Sequence, residues 1–190
     1  FQRGALYDFM NVEENIMFPL TMFTNQSYEE KIERVNICLE RVNLQNNNKL
    51  KISELSGGMT KRVSIARAIV MKPKYLLCDE PNSGLDPRTA IIIDNLIKEI
   101  SVEDDITTIV NTHDMNSVME IGDSIAYINN GRISWTGNKE ELLLSRKELG
   151  RMWILRKLLN DMKVEEAMEF MQDRMKRTKS SDEFLDTMSQ

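Results

Sequence analysis

The chain has 190 residues, a formal net charge of -5 and 41% hydrophobic residues. This length allows one domain with a small appendage, and the hydrophobic content is that of a soluble globular protein with a packed core. The mild negative charge argues against a broad nucleic-acid-binding surface, although a local basic patch is still compatible with it. No run reaches the roughly 20 apolar residues of a membrane span. Cys38 and Cys78 lie in apolar surroundings and are expected to be buried free thiols, although a disulfide is possible in principle.

The first fifty residues predict two capped helices. Asn11 with Glu14, and Ser27 with Glu30, have the spacing of capping boxes. The second helix places four apolar residues at helical spacing, and these should face a core: Ile32, Val35, Leu39 and Val42. The polar residues 45–49 then form a loop.

A third helix is expected to begin near Ser56 and to stop at Pro73. Its inward-facing residues should be Val63, Ala66, Ile69 and Val70. The apolar run Tyr75–Cys78 predicts a short buried strand, and the β-branched run Ile106–Asn111 predicts the next one. Strands that alternate with helices indicate an α/β fold with parallel pairing.

Two further signals organise the rest of the chain. Asp86 followed by Pro87 is typical of a helix start, and this helix should run to about Ile100. Asn130-Gly131 tolerates the positive φ angles of a tight turn, so residues 124–136 predict a β-hairpin. After about residue 139 strands disappear, and three charged helical segments are predicted: residues 146–162, 164–177 and 181–188. The predicted boundary separates residues 1–138 from residues 139–190.

Three segments carry residues suited to nucleotide chemistry. Ser56-Gly57-Gly58 at a helix start can bind an anion through exposed N–H groups, although alone it is more often a flexible helix cap. Asp79 and Glu80 end a strand, where one carboxylate can hold Mg²⁺ and the other can deprotonate water; alone they are equally an acidic loop start. His113, the single histidine, ends the next strand and by itself is more often structural.

Together, in this order, the segments resemble the second half of an ATP-binding-cassette (ABC) ATPase. The resemblance covers about residues 1–137: Leu55–Met59 resembles the signature loop, Leu76–Pro81 the Walker B strand with its glutamate, Ser83–Asp86 the D-loop and His113 the H-loop. It implies a partial P-loop NTPase parallel sheet with a helical signature subdomain, followed by an α-helical tail.

The resemblance also implies roles for the site residues, with ATP and Mg²⁺ as cofactors. Ser56, Gly57 and Gly58 would contact the γ-phosphate of a nucleotide held by a second ATPase subunit, and Asp86 would lie in the same cofactor-binding region. The remaining roles are a metal shell at Asp79, a general base at Glu80, a γ-phosphate sensor at His113, and a Q-loop at Gln2 that links metal and attacking water to the transporter.

A finer resemblance involves the first twenty residues. Phe1–Asp8, Met10–Val12, Glu14–Ile16 and Phe18–Leu20 are similar to the ATPase of Mla-type phospholipid transporters. Such ATPases work in pairs beneath an inner-membrane permease, on the cytoplasmic face of the bacterial inner membrane. Ala5–Leu20 would then form part of the permease-facing surface. Another ABC importer subunit is the alternative.

The sequence departs from the family at one essential part. A phosphate-binding loop needs G-x-x-x-x-G-K-[ST], and none of the eight glycines here is followed by lysine. The chain begins at Phe1 in what resembles a strand, which predicts a fragment whose Walker A loop lies upstream. We therefore expect the 190-residue chain alone neither to bind ATP tightly nor to hydrolyse it.

The predicted tail has a different resemblance. Arg151–Lys157, Glu166–Phe170 and Phe184-Leu185 resemble the C-terminus of transcription termination factor Rho, a hexameric RNA-dependent ATPase. The two resemblances meet near residues 139–144, which suggests a chimera of two truncated ATPases. The alternatives are a Rho fragment, a genuine fusion that keeps the tail for oligomerisation, an amphipathic helical tail, or a non-enzymatic chain that binds partners.

Overall fold

The computed structural model describes residues 4–143, 162 and 164–176. Helices α1 (Val12–Phe23) and α2 (Tyr28–Arg41) begin at the two predicted capping boxes, on Asn11 and Ser27. In each box the cap side chain and a glutamate three residues later satisfy each other's backbone N–H groups. The predicted inner side of α2 is confirmed, because Val35, Leu39 and Val42 are buried and Ile32 packs against the core.

The signature segment starts helix α3 (Gly57–Ile69), which contacts α1, α2 and the later helix α4 (Pro87–Glu103). A 3-10 turn at Ile52–Glu54 precedes α3 and was not predicted. Arg34 of α2 donates hydrogen bonds of 2.9 Å to the carbonyls of both Ile69 and Val70, which satisfies two of the free carbonyls at the C-terminus of α3. All four predicted inward residues of α3 are buried: Val63, Ala66, Ile69 and Val70.

Strands β1 (Tyr75–Asp79) and β2 (Thr107–Asn111) form a two-stranded parallel sheet. In its register Leu77 pairs with Ile109 and Asp79 with Asn111. Helix α4 connects the two strands, as a parallel pair requires, and it places Ile93, Ile97 and Ile100 in the core. A short helix, α5 (Met115–Ile121), follows β2 and was not predicted.

The prediction that both strands are buried is wrong for one face of the sheet. Leu76 on the helix-covered face is 5% exposed, whereas on the opposite face Leu77 is 70%, Tyr75 69% and Ile109 60% exposed. Parallel sheets are ordinarily covered on both faces. Within the described residues of this unit, helices cover one face only. The apolar residues on the second face therefore predict that a further polypeptide segment packs against it.

The chain divides into two units, Phe1–Ile121 and Gly122–Gln190. The described part of the second unit holds the predicted hairpin, β3 (Ile125–Asn129) and β4 (Arg132–Gly137), with Asn130 and Gly131 at φ angles of +50° and +71°. It also holds helices α6 (Lys139–Leu143) and α7 (Val164–Lys176). The structural division thus precedes the hairpin, whereas the sequence-based boundary follows it. The other predicted tail helices lie outside the described residues.

Two predictions about burial and membranes can be compared with the structure. Both cysteines are free thiols; Cys38 is buried and Cys78 is half-buried. Burial raises the pKa of the Cys78 thiol to about 11. Within the described ranges, the helices are too short or too polar to cross a bilayer.

Candidate functional site

The carboxyl ends of β1 and β2 bring four polar side chains to one edge of the sheet. Asn111, paired with Asp79 in the sheet register, donates an amide hydrogen bond of 2.7 Å to Asp79 Oδ1. The backbone N–H of Glu80 donates to the carbonyl oxygen of Asn111 at 2.8 Å. The chain then leaves the sheet, with Glu80 just beyond the end of β1 and His113 just beyond the end of β2. This is the edge at which ligands of open α/β sheets bind.

Glu80 and His113 form a direct pair at this edge. Glu80 Oε1 lies 2.7 Å from His113 Nδ1 and also accepts the backbone N–H of His113 at 3.1 Å. The Glu80 side chain is only 15% exposed, whereas that of His113 is 85% exposed. The hydrogen bond and the negative charge of Glu80 raise the pKa of His113 above its ordinary value of about 6.5. A carboxylate is thus fixed beside a solvent-facing imidazole.

The backbone of Glu80 is itself unusual. Its φ angle is +47°, a left-handed conformation that non-glycine residues rarely adopt. Such a conformation costs about 1–3 kcal/mol and persists only where the surroundings enforce it. Here the N–H of Glu80 is held by Asn111, and its carbonyl accepts the N–H of Ser83 at 3.2 Å. The strain therefore lies at the residue predicted to be the general base.

Ser56 is the N-cap of α3, and its hydroxyl oxygen accepts the N–H of Met59 at 3.3 Å. Gly58 is buried against the start of α4, where a Cβ atom would lie only 2.7 Å from Thr89 Cγ2. Gly57 is exposed, and a Cβ there would make an ordinary contact of 3.5 Å with Leu85. The two glycines thus serve different needs: close packing at position 58, and an exposed backbone at position 57.

Asp86 is the N-cap of α4. Its carboxylate accepts the N–H groups of Arg88 and Thr89 at 3.1 Å each and the Thr89 hydroxyl at 2.5 Å. These bonds, the Thr89 hydroxyl first, lower the pKa of Asp86. Gly84, at a φ angle of +79°, completes the turn ahead of the cap. The predicted helix start is confirmed, and the predicted contact of Asp86 with a cofactor remains a prediction.

A buried polar cluster beneath the site was missed by the sequence reasoning. Asn82 Nδ2 donates to Asp94 Oδ1 of α4 at 2.7 Å and to Ser117 Oγ of α5 at 2.9 Å. All three side chains are buried, and burial raises the pKa of Asp94 although its hydrogen-bond partners oppose the shift. The three positions are distant in sequence, so no local pattern could have revealed them. Asn111 was discoverable, since it ends the second strand opposite Asp79.

The donor set at the sheet edge is compatible with Mg²⁺ but does not form a complete cage. The described residues contain no group of three or more His, Cys, Asp or Glu side chains arranged for a metal. Mg²⁺ typically uses one or two carboxylates together with phosphates and water. Asp79 accepts the Asn111 amide through Oδ1, and its carboxylate can serve such a partial shell. Gln2, the other predicted metal ligand, lies outside the described residues.

Comparisons with known proteins show which family the chain is similar to. Residues 1–83 match the sequence model of the ABC transporter family. A probable ribonucleotide transport ATP-binding protein of Mycobacterium leprae is 36% identical over 154 residues, which are 81% of this chain and 44% of that protein. A methionine import ATP-binding protein of Campylobacter jejuni is 39% identical over 157 residues, which cover 76% of this chain and 47% of that protein.

A solved structure gives the same result for the fold. The ATP-binding cassette MJ0796, determined as a dimer in a post-hydrolysis state with ADP and Pi, matches with a TM-score of 0.65 and 33% identity, over 73% of this chain and 60% of that one. The described fold is therefore that of a partial P-loop NTPase. More narrowly, the chain contains part of an ABC transporter ATPase domain. It spans less than half the length of the two sequence relatives above.

The titration of the single histidine provides a direct check of the pair at the sheet edge. We expect the pKa of His113 to be lower after Glu80→Gln than in the intact chain, because the substitution removes the hydrogen bond to a carboxylate and the negative charge that raise it. The pair stabilises the fold fully below about pH 6.5 and loses this effect as pH rises through the folded-state pKa. NMR of the single imidazole measures both proteins; equal pKa values would contradict the pair.

Proposed function

We propose that the chain forms the signature-side portion of an ATP-hydrolysing subunit of an ABC transporter. The observation that carries this proposal is the contact of 2.7 Å between Glu80 Oε1 and His113 Nδ1. This pair lies at the carboxyl edge of a parallel sheet, in a chain similar to ATP-binding cassettes. The cofactors would be ATP and Mg²⁺, and the partners would be a second ATPase subunit and a membrane permease.

The residues at the sheet edge are suited to different roles in ATP hydrolysis. Glu80 is placed to accept a proton from an attacking water through its carboxylate, with His113 fixing one oxygen of that carboxylate. His113 keeps an exposed ring that can contact a terminal phosphate. Asp79 would hold Mg²⁺, which supplies charge neutralisation on the phosphates when bound. Gln2 would complete this set by resemblance.

The signature segment would act on a nucleotide held by the partner subunit. The free N–H groups at the start of α3 and the positive end of its dipole favour an anion, and Ser56 with Gly57 lies at that start. Gly58 packs on Thr89, so the segment is held against the turn that carries Asp86. In an ATP-dependent dimer, the signature segment and the turn that carries Asp86 would therefore respond together to the bound nucleotide.

The described unit also supports the expectation that this chain needs a further segment for turnover. The sequence contains no G-x-x-x-x-G-K-[ST] loop, and one face of the β1–β2 sheet presents Tyr75, Leu77 and Ile109 to solvent. A joined cassette, in which the phosphate-loop segment of a related ABC ATPase precedes this chain, would supply both the loop and a cover for the sheet. We expect such a joined cassette to hydrolyse ATP.

An aromatic surface around α1 is the proposed permease-facing side. Asn15 is fully buried and ties the backbone of Tyr7 to α1 through bonds of 2.8 and 3.1 Å. Tyr7 packs on Phe18 with ring centroids 5.0 Å apart. Beside this ordered segment, Phe9 is 81% and Phe23 is 76% exposed. Exposed aromatic side chains on an ordered segment are typical of a protein-binding surface.

Phospholipid is the proposed cargo, carried at the inner face of a bacterial inner membrane. The resemblance of the first twenty residues to Mla-type ATPases supports it, whereas the relatives' names specify ribonucleotide, methionine and spermidine or putrescine transport for those proteins. We expect chromosomal Glu80→Gln to change the phospholipid distribution between the cell's membranes. A loss of methionine, polyamine or ribonucleotide uptake with unchanged lipids would exclude phospholipid as the cargo.

The Rho-like tail remains a sequence-based hypothesis. Most of residues 144–190 lie outside the described part of the chain. The alignment to the Mycobacterium leprae protein spans 154 residues, more than residues 1–138 can supply, so similarity to an ABC protein does not end at Asn138. A long sequencing read across the codons for residues 139–144 tests the chimera: an uninterrupted ABC reading frame there would make the junction an artefact.

A further inference from the structure

The strained backbone of Glu80 needs a restraint that its own strand does not provide. Its N–H is held from β2 by Asn111, and Ser83 in the following turn donates to its carbonyl. Both are main-chain contacts of the kind that many loops make. One side chain also reaches this peptide: Lys61, in the second turn of α3, donates from Nζ to the Glu80 carbonyl oxygen at 3.3 Å.

This contact joins the two halves of the candidate site. Lys61 lies on the same helix as Ser56 and Gly58, in α3, while Glu80 follows β1 and contacts His113. Its side chain is half-buried, and Lys61 lines the same cavity as Ser64, Asp79 and Pro81. A rotation of α3 would therefore pull on the peptide whose φ angle sets the direction of the Glu80 carboxylate.

We propose that Lys61 is a positioning residue that holds the Glu80 peptide in its left-handed conformation and so keeps the Glu80 carboxylate on His113. Lys61 acts through Glu80 and needs no contact with nucleotide. The inference deepens the proposed function, since it explains how the signature helix would influence the proposed general base. The inference rests on contacts within the chain, so it can be tested separately from ATP hydrolysis.

Amide hydrogen exchange of the full chain reports this geometry directly. The N–H of His113 is protected by Glu80 Oε1 at 3.1 Å. With Lys61→Met, we expect the His113 amide to exchange about two- to tenfold faster, the effect of weakening one hydrogen bond. Removal of a positive charge alone would slow base-catalysed exchange, so acceleration reports displacement of the carboxylate. Lys61→Arg keeps a cationic donor and should restore most of the protection.

Lys98→Met is the matched control. Lys98 also donates to a backbone carbonyl, that of Glu120, at the same 3.3 Å, and it lies on exposed α4 surface. This variant should leave the His113 amide unchanged. Three results would overturn the proposal: wild-type exchange in Lys61→Met, equal acceleration in Lys98→Met, or acceleration throughout the β1–β2 ladder, which would make Lys61 a general support of the fold. ATP turnover does not enter any of these readouts.

Discussion

A Glu80→Gln substitution in the joined cassette is expected to slow ATP hydrolysis by about 10²–10⁴-fold, the usual contribution of a positioned general base. Glutamine keeps the size and one acceptor oxygen of the side chain but cannot take up a proton from water. ATP binding should persist, because Glu80 is not a predicted phosphate ligand. Single-turnover hydrolysis and equilibrium nucleotide binding, measured on the same preparation, separate the two effects.

Glu99→Gln is the control for this experiment. Glu99 lies on the exposed side of α4. Its replacement by glutamine removes the same charge as Glu80→Gln and should leave the hydrolysis rate unchanged. A Glu80→Gln cassette that turns over at the rate of the Glu99→Gln cassette would remove Glu80 from the role of general base. A loss of nucleotide binding in parallel with hydrolysis would instead make it a binding residue.

Ile93→Ala is expected to lower the free energy of unfolding by about 2–5 kcal/mol, because it leaves a cavity in the core under the sheet. Ile93 is fully buried in α4, on the helix that connects β1 to β2. Loss of this packing should also loosen the strand ends that carry Asp79 and Glu80. Urea unfolding of the 190-residue chain, followed by circular dichroism, measures the change.

The neighbouring residue supplies the matched comparison. Ile92 is the same residue type in the same helix but is 50% exposed, so Ile92→Ala should cost well under half as much. Equal losses for the two variants would mean that α4 is not packed as described. No cooperative transition in the unsubstituted chain would mean that the exposed sheet face requires its cover before this unit is stable.

Local chemistry explains why the helices were predictable. The capping boxes at Asn11 and Ser27 and the Asp86-Pro87 start are short patterns whose hydrogen bonds form within four residues, and all three occur at the expected positions. The hairpin at Asn130-Gly131 is local in the same sense. Helix α5 was missed because its seven residues are too few to show helical periodicity.

The sequence predicts which side chains of the candidate site lie at the sheet edge, but not the contacts that they make there. Asp79 ends one strand, Glu80 and His113 follow the two strands, and parallel pairing places the carboxyl ends of both strands at one edge of the sheet. The bond from Lys61 to Glu80 and the cluster of Asn82 with Asp94 and Ser117 depend on how helices cross the sheet, which a sequence pattern does not contain. The exposed face of Tyr75 and Leu77 was mispredicted because apolar strands indicate burial without showing what covers them.

The rate of ATP hydrolysis by the purified 190-residue chain, compared with that of the joined cassette, tests the central claim most directly. The claim is that this chain holds the proposed general base and signature segment but not the phosphate-binding loop. It predicts background hydrolysis by the chain alone and Glu80-dependent turnover by the joined cassette. Turnover by the chain alone at the rate of the joined cassette would contradict the claim, as would a folded joined cassette that binds ATP without hydrolysing it.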